Sequence, residues 1–297
     1  MHDGISLIPD ESPCQGKAQV LDKLKAAILQ MCAGQIKSEN LKTAEKLIER
    51  AIAKGANFVC LPERFNFYGP QKLNGQEAEA LTGKTCQLLQ GLAGKYKVNI
   101  IGGSILEKSD VSGRYFNTTP IIDRNGNIIG KYRKMHLFDI DSPDLISYNE
   151  SAEIQPGREP GFFSMDGIQF GVAICYDLRF PELFRHLTLK GAEIFFIPSA
   201  FFKETGKLHW EILVRARAIE NQCFVVASDQ CGKHPGQPDS FGESLIVGPE
   251  GGVLSRLGAE EGIAACELDL EKLRRMRKEH PILNSINRKF LGLAGER

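Results

Sequence analysis

Three apolar runs separated by helix-period segments restrict the first hundred residues to a sheet covered by helices. Ala26-Ala27-Ile28-Leu29-Gln30-Met31 reads as a buried strand opening near Lys25. Over residues 39–53, Leu41, Ala44, Ile48, Ala51 and Ile52 recur on one 3.6-period face, which predicts a helix with Ser38 or Asn40 as N-cap and Gly55 as its stop. Asn57-Phe58-Val59-Cys60-Leu61 is a second strand closed by Pro62; helix signals return over 76–96, and Val98–Leu106 reads as a third strand. This β-α-β-α-β alternation belongs to an α/β architecture.

The middle of the chain changes character. Thr118–Asp123 and Ile128–Tyr132 flank Arg124-Asn125-Gly126-Asn127, a hairpin signal because Asn-Gly accepts the positive φ angles of a primed turn. Phe162–Met165 and Ile168–Cys175 repeat the arrangement around Asp166-Gly167, with Ile168, Phe170, Val172 and Ile174 recurring at a period of two. Pro181, a good first helical residue, opens a helix that leads to a strand over Ala192–Ile197. A helix over 207–221, a strand over Cys223–Ser228, a hairpin turning at Pro249–Gly252 and a strand over 262–268 follow. Mixed βα units and hairpins predict two packed sheets with helices outside. They form one domain over 24–297, ending in a C-terminal tail, behind an irregular leader over 1–23.

Charge and cysteine usage narrow the class. Lys+Arg 37 against Asp+Glu 37 leaves no basic excess, which argues against a dedicated nucleic-acid binder. The acidic N-terminus (Asp3, Asp10, Glu11) lacks the apolar core of a signal peptide, and no 18-residue apolar stretch predicts a membrane span. None of the eight cysteines forms a C-x-x-C pair; Cys60, Cys175 and Cys266 fall in strand-like apolar runs. A reducing, cytoplasmic compartment is expected. Cys223, Cys231, His234 and Cys266 are spaced too widely for a standard zinc site, so no metal is expected. The basic run Lys272–Lys278 reads as a charged helix face or a subunit contact.

Candidate chemistry sits where strands end. Val59-Cys60-Leu61-Pro62 delivers Glu63, Ile128–Arg133 delivers Lys134, and Val172-Ala173-Ile174 delivers Cys175. In α/β sheets, sites form beyond the carboxyl ends of strands, where a rigid sheet holds variable loops. A thiol, a carboxylate and an ammonium brought together there suffice for acyl transfer. The thiol attacks, the carboxylate moves the proton, and the ammonium with the Tyr176 amide holds the oxyanion. Taken singly, each residue has a plain alternative: Cys175 as core, Glu63 as a loop carboxylate, Lys134 as part of a solvated basic face. His136 or His209 could pair with Cys175, but no papain-like signature surrounds them.

Leu61-Pro62-Glu63, Tyr132-Arg133-Lys134-Met135-His136-Leu137-Phe138-Asp139 and Ile174-Cys175-Tyr176-Asp177-Leu178-Arg179-Phe180-Pro181-Glu182 resemble the three catalytic blocks of the nitrilase superfamily of carbon–nitrogen hydrolases. The resemblance runs from about Lys25 to Leu291. It implies a four-layer αββα sandwich, a Glu63-Lys134-Cys175 triad with Glu150 as a second active-site glutamate, no cofactor, and assembly into a homodimer or larger homo-oligomer. Ser199-Ala200-Phe201, Thr205-Gly206 with His209-Trp210-Glu211, Arg215–Glu220 and Gln230-Cys231-Gly232-Lys233-His234 resemble the Nit branch. That branch implies an amidase acting on a terminal amide of a small carboxylate-bearing compound. Deaminated glutathione is the first candidate, 2-oxoglutaramate or 2-oxosuccinamate the second. Acyl transfer to an amine and a non-catalytic scaffold are the readings from other classes. Ala200 and Phe201 are placed with the substrate; Arg179, expected to brace local carboxylates, or Lys203 would hold its carboxylate. Gly248-Pro249-Glu250-Gly251-Gly252 departs from the branch's usual turn, which touches a hairpin and not the triad.

Overall fold

A computed structural model describes residues 22–142 and 146–287. Most of the leader, Cys14 and the last ten residues of the tail lie outside the described residues. Chain order runs β1 (Lys23–Gln30), α1 (Lys37–Ala53), β2 (Phe58–Cys60), α2 (Asn74–Glu77), α3 (Lys84–Tyr96), β3 (Asn99–Ile101), β4 (Ile105–Lys108), β5 (Tyr115–Ile122) and β6 (Ile128–Arg133). Next come β7 (Asp139–Ser142), β8 (Ile146–Asn149), β9 (Gly161–Met165), β10 (Ile168–Val172), α4 (Pro181–Leu189), β11 (Ile194–Ser199), α5 (Lys203–Asn221) and β12 (Phe224–Asp229). The short pair β13 (Cys231–Gly232) and β14 (Ser240–Phe241) precedes β15 (Leu245–Val247), β16 (Val253–Arg256), β17 (Gly262–Asp269) and α6 (Leu270–Glu279).

Two mixed sheets result. One has the order β17-β1-β2-β3-β5-β4, with β6 on the other edge of β5; the second has the order β16-β15-β12-β11-β10-β9. Strands β1, β2 and β3 are parallel, as are β10, β11 and β12, and antiparallel strands flank each trio. Alternation along the strands builds the layers. On β1, Ala26 and Ile28 face the second sheet, while Ala27 and Leu29 join Leu47, Ile48 and Leu89 of α1 and α3. On β11, Ile194 and Phe196 point between the sheets, while Phe195 and Ile197 meet Phe184, Trp210 and Val214 of α4 and α5. Phe58 stacks on Phe196 across the gap, ring centroids 6.1 Å apart. The fold is the expected αββα sandwich.

Several local expectations are corrected. Helix α1 starts at Lys37, with Ile36 at the cap position and no side-chain cap. Asn40 instead turns its amide back, accepting from Gly34 N and donating to Gly34 O and Asn66 O. The helix signal over 76–96 splits into α2 and α3, and the strand over 98–106 breaks at Gly102-Gly103-Ser104 so that both halves pair with β5. Gly103, at φ +54°, requires glycine because a Cβ there would lie 2.3 Å from Pro62 O. Lys272–Lys278 falls within α6 and is not simply a solvated face: Arg274 pairs with Glu193, and Arg277 donates to Ala192 O and Gln222 O.

Candidate active site

Glu63 leaves β2 at the edge where β11 also ends. Its amide donates to Ser199 O at 3.2 Å, and the Ala200 amide donates to its Oε2 at 2.9 Å. Gln230, just past β12, donates to Glu63 O. On the opposite side of Glu63, Gly103 and Ser104 close in, with Ser104 N donating to Pro62 O. Segments beyond strands of both sheets therefore hold the backbone around Glu63.

Lys134 follows β6, and strand alternation sorts the basic run. Lys131 and Arg133 turn outward and pair with Glu107 at 2.7 and 2.8 Å, whereas Lys134 shares the inward face of Tyr132. Its Nζ lies 2.9 Å from Glu63 Oε1 and 2.9 Å from Glu150 Oε2. The three side chains are 2%, 4% and 7% exposed as residues, so their mutual attraction is little screened. Burial alone would pull the Lys134 ammonium down; Glu150 and then Glu63 outweigh it and hold it well above the usual lysine range. Asn117 of β5 donates from Nδ2 to Glu63 Oε1 at 2.7 Å and to Glu150 Oε1 at 3.2 Å. The Phe138 amide donates to Glu150 Oε2.

Cys175 opens a 3-10 turn over Cys175–Arg179, directly beyond β10, at φ +46°. A non-glycine residue rarely adopts this left-handed conformation, and such strain concentrates at functional turns. Asp177 anchors the turn. Its fully buried carboxylate accepts from Ile174 N, Tyr132 Oη and His136 N at 2.8, 2.7 and 2.9 Å, and its Oδ1 lies 2.7 Å from His136 Nδ1. Burial, then the Glu63 carboxylate, pushes the Cys175 thiol well above its usual value, against the opposing pull of Lys134 and the Ala200 amide.

Glu63, Lys134, Glu150, Cys175, Tyr176, Arg179, Ala200 and Phe201 all line one open cavity of about 490 Å³. Lys203, in contrast, is exposed on the first turn of α5 and does not line it. Arg179 does not brace carboxylates: its guanidinium faces His209 Nδ1 at 3.3 Å and the rings of Phe201 and Tyr176. Burial and then Arg179 lower His209, in keeping with a ring that accepts from the arginine. His136, stacked on Phe180 and held by Asp177, does not line the cavity either.

Sequence reasoning missed Asn117, Arg64, Tyr68, Phe138, Tyr148, Phe202 and Thr205, all of which line the same cavity. Phe138 and Thr205 stand within the quoted motifs without having been singled out, and Asn117 lies one residue before the expected strand start, inside β5 as observed. Tyr148, pushed up to about 12 mainly by burial, packs with Phe138 and Phe202 into an aromatic wall. The four cysteine and histidine positions considered for zinc do not converge, and no cluster of three metal-ligating side chains occurs among the described residues.

A thiol, two carboxylates and a buried ammonium meet around one cavity at the ends of strands from both sheets, a set of groups that can carry acyl transfer. The chain belongs to the carbon-nitrogen hydrolase family, whose profile matches residues 25–278. It is 39% identical over 261 residues to the deaminated glutathione amidase of Synechocystis, covering 87% of this chain and 96% of that protein. To the omega-amidase NIT2 of Xenopus tropicalis it is 38% identical, over 88% of this chain and 94% of that one. Among solved structures, Saccharomyces cerevisiae Nit3, a member of branch 10 of the nitrilase superfamily, superposes with a TM-score of 0.81 at 32% identity. That match covers 91% of this chain and 98% of the yeast protein. The protein is an amide-hydrolysing enzyme of the Nit branch.

Proposed function

We propose that Cys175 attacks the carbonyl carbon of a small carboxylate-bearing amide while Glu63 takes the thiol proton. Because the thiol is pushed up, it is protonated at rest, so deprotonation accompanies attack. Lys134, kept charged by its two carboxylates, and the Tyr176 amide stabilise the oxyanion. Glu63 returns its proton to the departing nitrogen. Water then hydrolyses the thioester, with Glu63 again as base and Glu150 positioning Lys134 and the water. The observation that carries this reading is the presence of Cys175, Glu63, Lys134 and Glu150 around one cavity. Arg179, with no carboxylate partner among the described residues, is the side chain we assign to the carboxylate on the acyl half.

Deaminated glutathione is the substrate we place first, and ω-amides such as 2-oxoglutaramate second, since relatives bearing the two names are nearly equally similar. Turnover of both by the purified protein, followed through the released amine or ammonia, ranks them. A strong preference for 2-oxoglutaramate or 2-oxosuccinamate would reverse the order, and no thioester on Cys175 with either would sink the mechanism.

We assign a second copy of the chain to the outer face of α5. Leu208, Ile212 and Ile219 are 64%, 69% and 48% exposed at helical spacing, beside Val253 and Leu254 of β16. Light scattering should show a dimer or larger species that Ile212→Glu dissociates; a monomeric wild type would refute the assignment. Among the described residues no helix is long and apolar enough to cross a membrane. The seven described cysteines are free thiols, which supports our reading of a reducing, cytoplasmic setting.

A further inference from the structure

One buried carboxylate behind the cavity has no part in the chemistry described so far. Asp229, the last residue of β12, is fully buried, does not line the cavity and forms no ion pair among the described residues. Backbone amides stand in for the cation: Phe201 N donates to Oδ1 at 2.7 Å and Gly242 N to Oδ2 at 3.1 Å. The Asp229 amide is itself fixed, donating to Ser244 Oγ at 2.8 Å. Burying a carboxylate without a cation is costly, and such donors only offset part of the cost. Burial accordingly pushes Asp229 well above the usual carboxylate range; the Phe201 amide opposes this, and the Glu63 carboxylate adds to it.

Successive amides beyond β11 thus serve two carboxylates: Ala200 N donates to Glu63 Oε2 at 2.9 Å, and Phe201 N donates to Asp229. The two oxygens of Glu63 are not equivalent. Oε1 accepts from Lys134 Nζ at 2.9 Å and from Asn117 Nδ2 at 2.7 Å, whereas Oε2 accepts from Ala200 alone among the described residues. The oxygen facing an ammonium and an amide is the weaker base, and Oε2 keeps an acceptor position for a proton. The Ala200 amide also acts on the Cys175 thiol, which puts thiol and base around the same N–H. We infer that Asp229 is a positioning residue for proton transfer: by fixing the Phe201 amide it holds the Ala200 amide against Glu63 Oε2, so that Oε2 and not Oε1 carries the proton. The S–H bond breaks as sulfur bonds to the carbonyl carbon, the proton passes to a lone pair of Oε2, and it leaves with the nitrogen when the C–N bond breaks. This inference rests on the roles proposed above for Cys175 and Glu63.

Steady-state kinetics on the full chain test it, with whichever of the two proposed amides wild type cleaves faster. Asp229→Ala should lower kcat by about tenfold or more, a larger change than in KM. Asp229→Asn, which keeps an acceptor for the Phe201 amide, should recover most of that loss. A change carried mainly by KM would mean that Asp229 only shapes the wall at Phe201, and it overturns the inference. So does an unchanged kcat in Asp229→Ala, or a loss in Asp229→Asn as large as in Asp229→Ala. If Asp229→Ala does not fold, an ester in place of the Phe201 amide, introduced as 3-phenyllactic acid, removes the same hydrogen bond and keeps the ring. It should lower kcat by about tenfold with less change in KM, and an unchanged kcat overturns the inference. Trapping of a thioester on Cys175 in wild type separates the two readings. Its absence overturns the amidase mechanism and this inference with it; its presence beside variants of unchanged kcat overturns the inference alone.

Discussion

The Tyr132 hydroxyl donates to Asp177 Oδ2 at 2.7 Å, joining β6 of one sheet to the turn that presents Cys175 from the other. Tyr132 is the residue two before Lys134, and Asp177 is the residue two after Cys175. This single contact therefore sets the ammonium and the thiol in register. Asp177→Ala removes the acceptor for Tyr132, Ile174 and His136 together and should destabilise the fold by about 3 kcal/mol in urea unfolding. Tyr132→Phe should cost about 1 kcal/mol and lower kcat more than it raises KM. Equal losses of stability from the two would mean that the remaining Asp177 bonds contribute little.

Cys175→Ala should abolish turnover, by about 10⁴-fold or more, with little change in unfolding midpoint. Cys175→Gly should be the more stable of the two, by about 1 kcal/mol, because glycine relieves the left-handed backbone at φ +46°. A glycine variant less stable than the alanine variant would show that the turn is not strained.

Lys134→Met leaves Glu63 and Glu150 buried without their shared cation. It should lower stability by about 3–5 kcal/mol and kcat by about 10²-fold or more. Adding Glu150→Gln should recover part of the stability and none of the rate. Full stability in Lys134→Met alone would contradict the burial of the ion cluster.

Removing a charge should also wake the thiol. Glu63 pushes Cys175 up, so Glu63→Gln should increase alkylation of Cys175 by iodoacetamide at pH 8 several-fold while abolishing amide turnover. Peptide mapping separates Cys175 from the exposed Cys32. Slower alkylation in the variant would show that Glu63 assists ionisation at rest.

Stability should fall in alkali. Burial pushes Cys60, Cys86 and Cys231 up to about 12 and Cys223 up to about 11, from an ordinary value of 9.0. Below pH 9 both folded and unfolded thiols are protonated. Above it the unfolded chain sheds protons that the folded chain keeps, so each buried thiol removes about 1.4 kcal/mol of stability per pH unit until its folded form ionises. Lys134 acts in the same direction at higher pH: its contribution is full below 10.5 and is lost as pH rises through its raised folded value. Urea midpoints between pH 7 and 11 should show the decline, less steeply in Cys60→Ala.

How much of this was legible in the chain varies with the range of the interaction. The Asp166-Gly167 turn, with φ of 53° and 75°, and Pro181 at the start of α4 follow from chemistry within two or three residues and appear where the spacing predicts them. The interruption of the strand over 98–106 does not. There an apolar run continues past Gly102, and only the approach of Pro62 from a distant loop forces the kink at Gly103. Likewise Asn40 reads as a cap from its neighbours, but Asn66, remote in sequence, takes up its side chain.

The chain alone determined the periods of its strands and helices, the residues standing at strand ends, and through its motifs the family of chemistry. These are properties of contiguous side chains and backbone. Tertiary structure alone decided that Asn117 bridges Glu63 and Glu150, that Lys131 and Arg133 turn outward while Lys134 turns in, and that Arg64 rather than Lys203 stands in the cavity. Those outcomes depend on sheet register and on which surfaces meet across two layers, and the energy of such a contact is defined only once both partners are buried together.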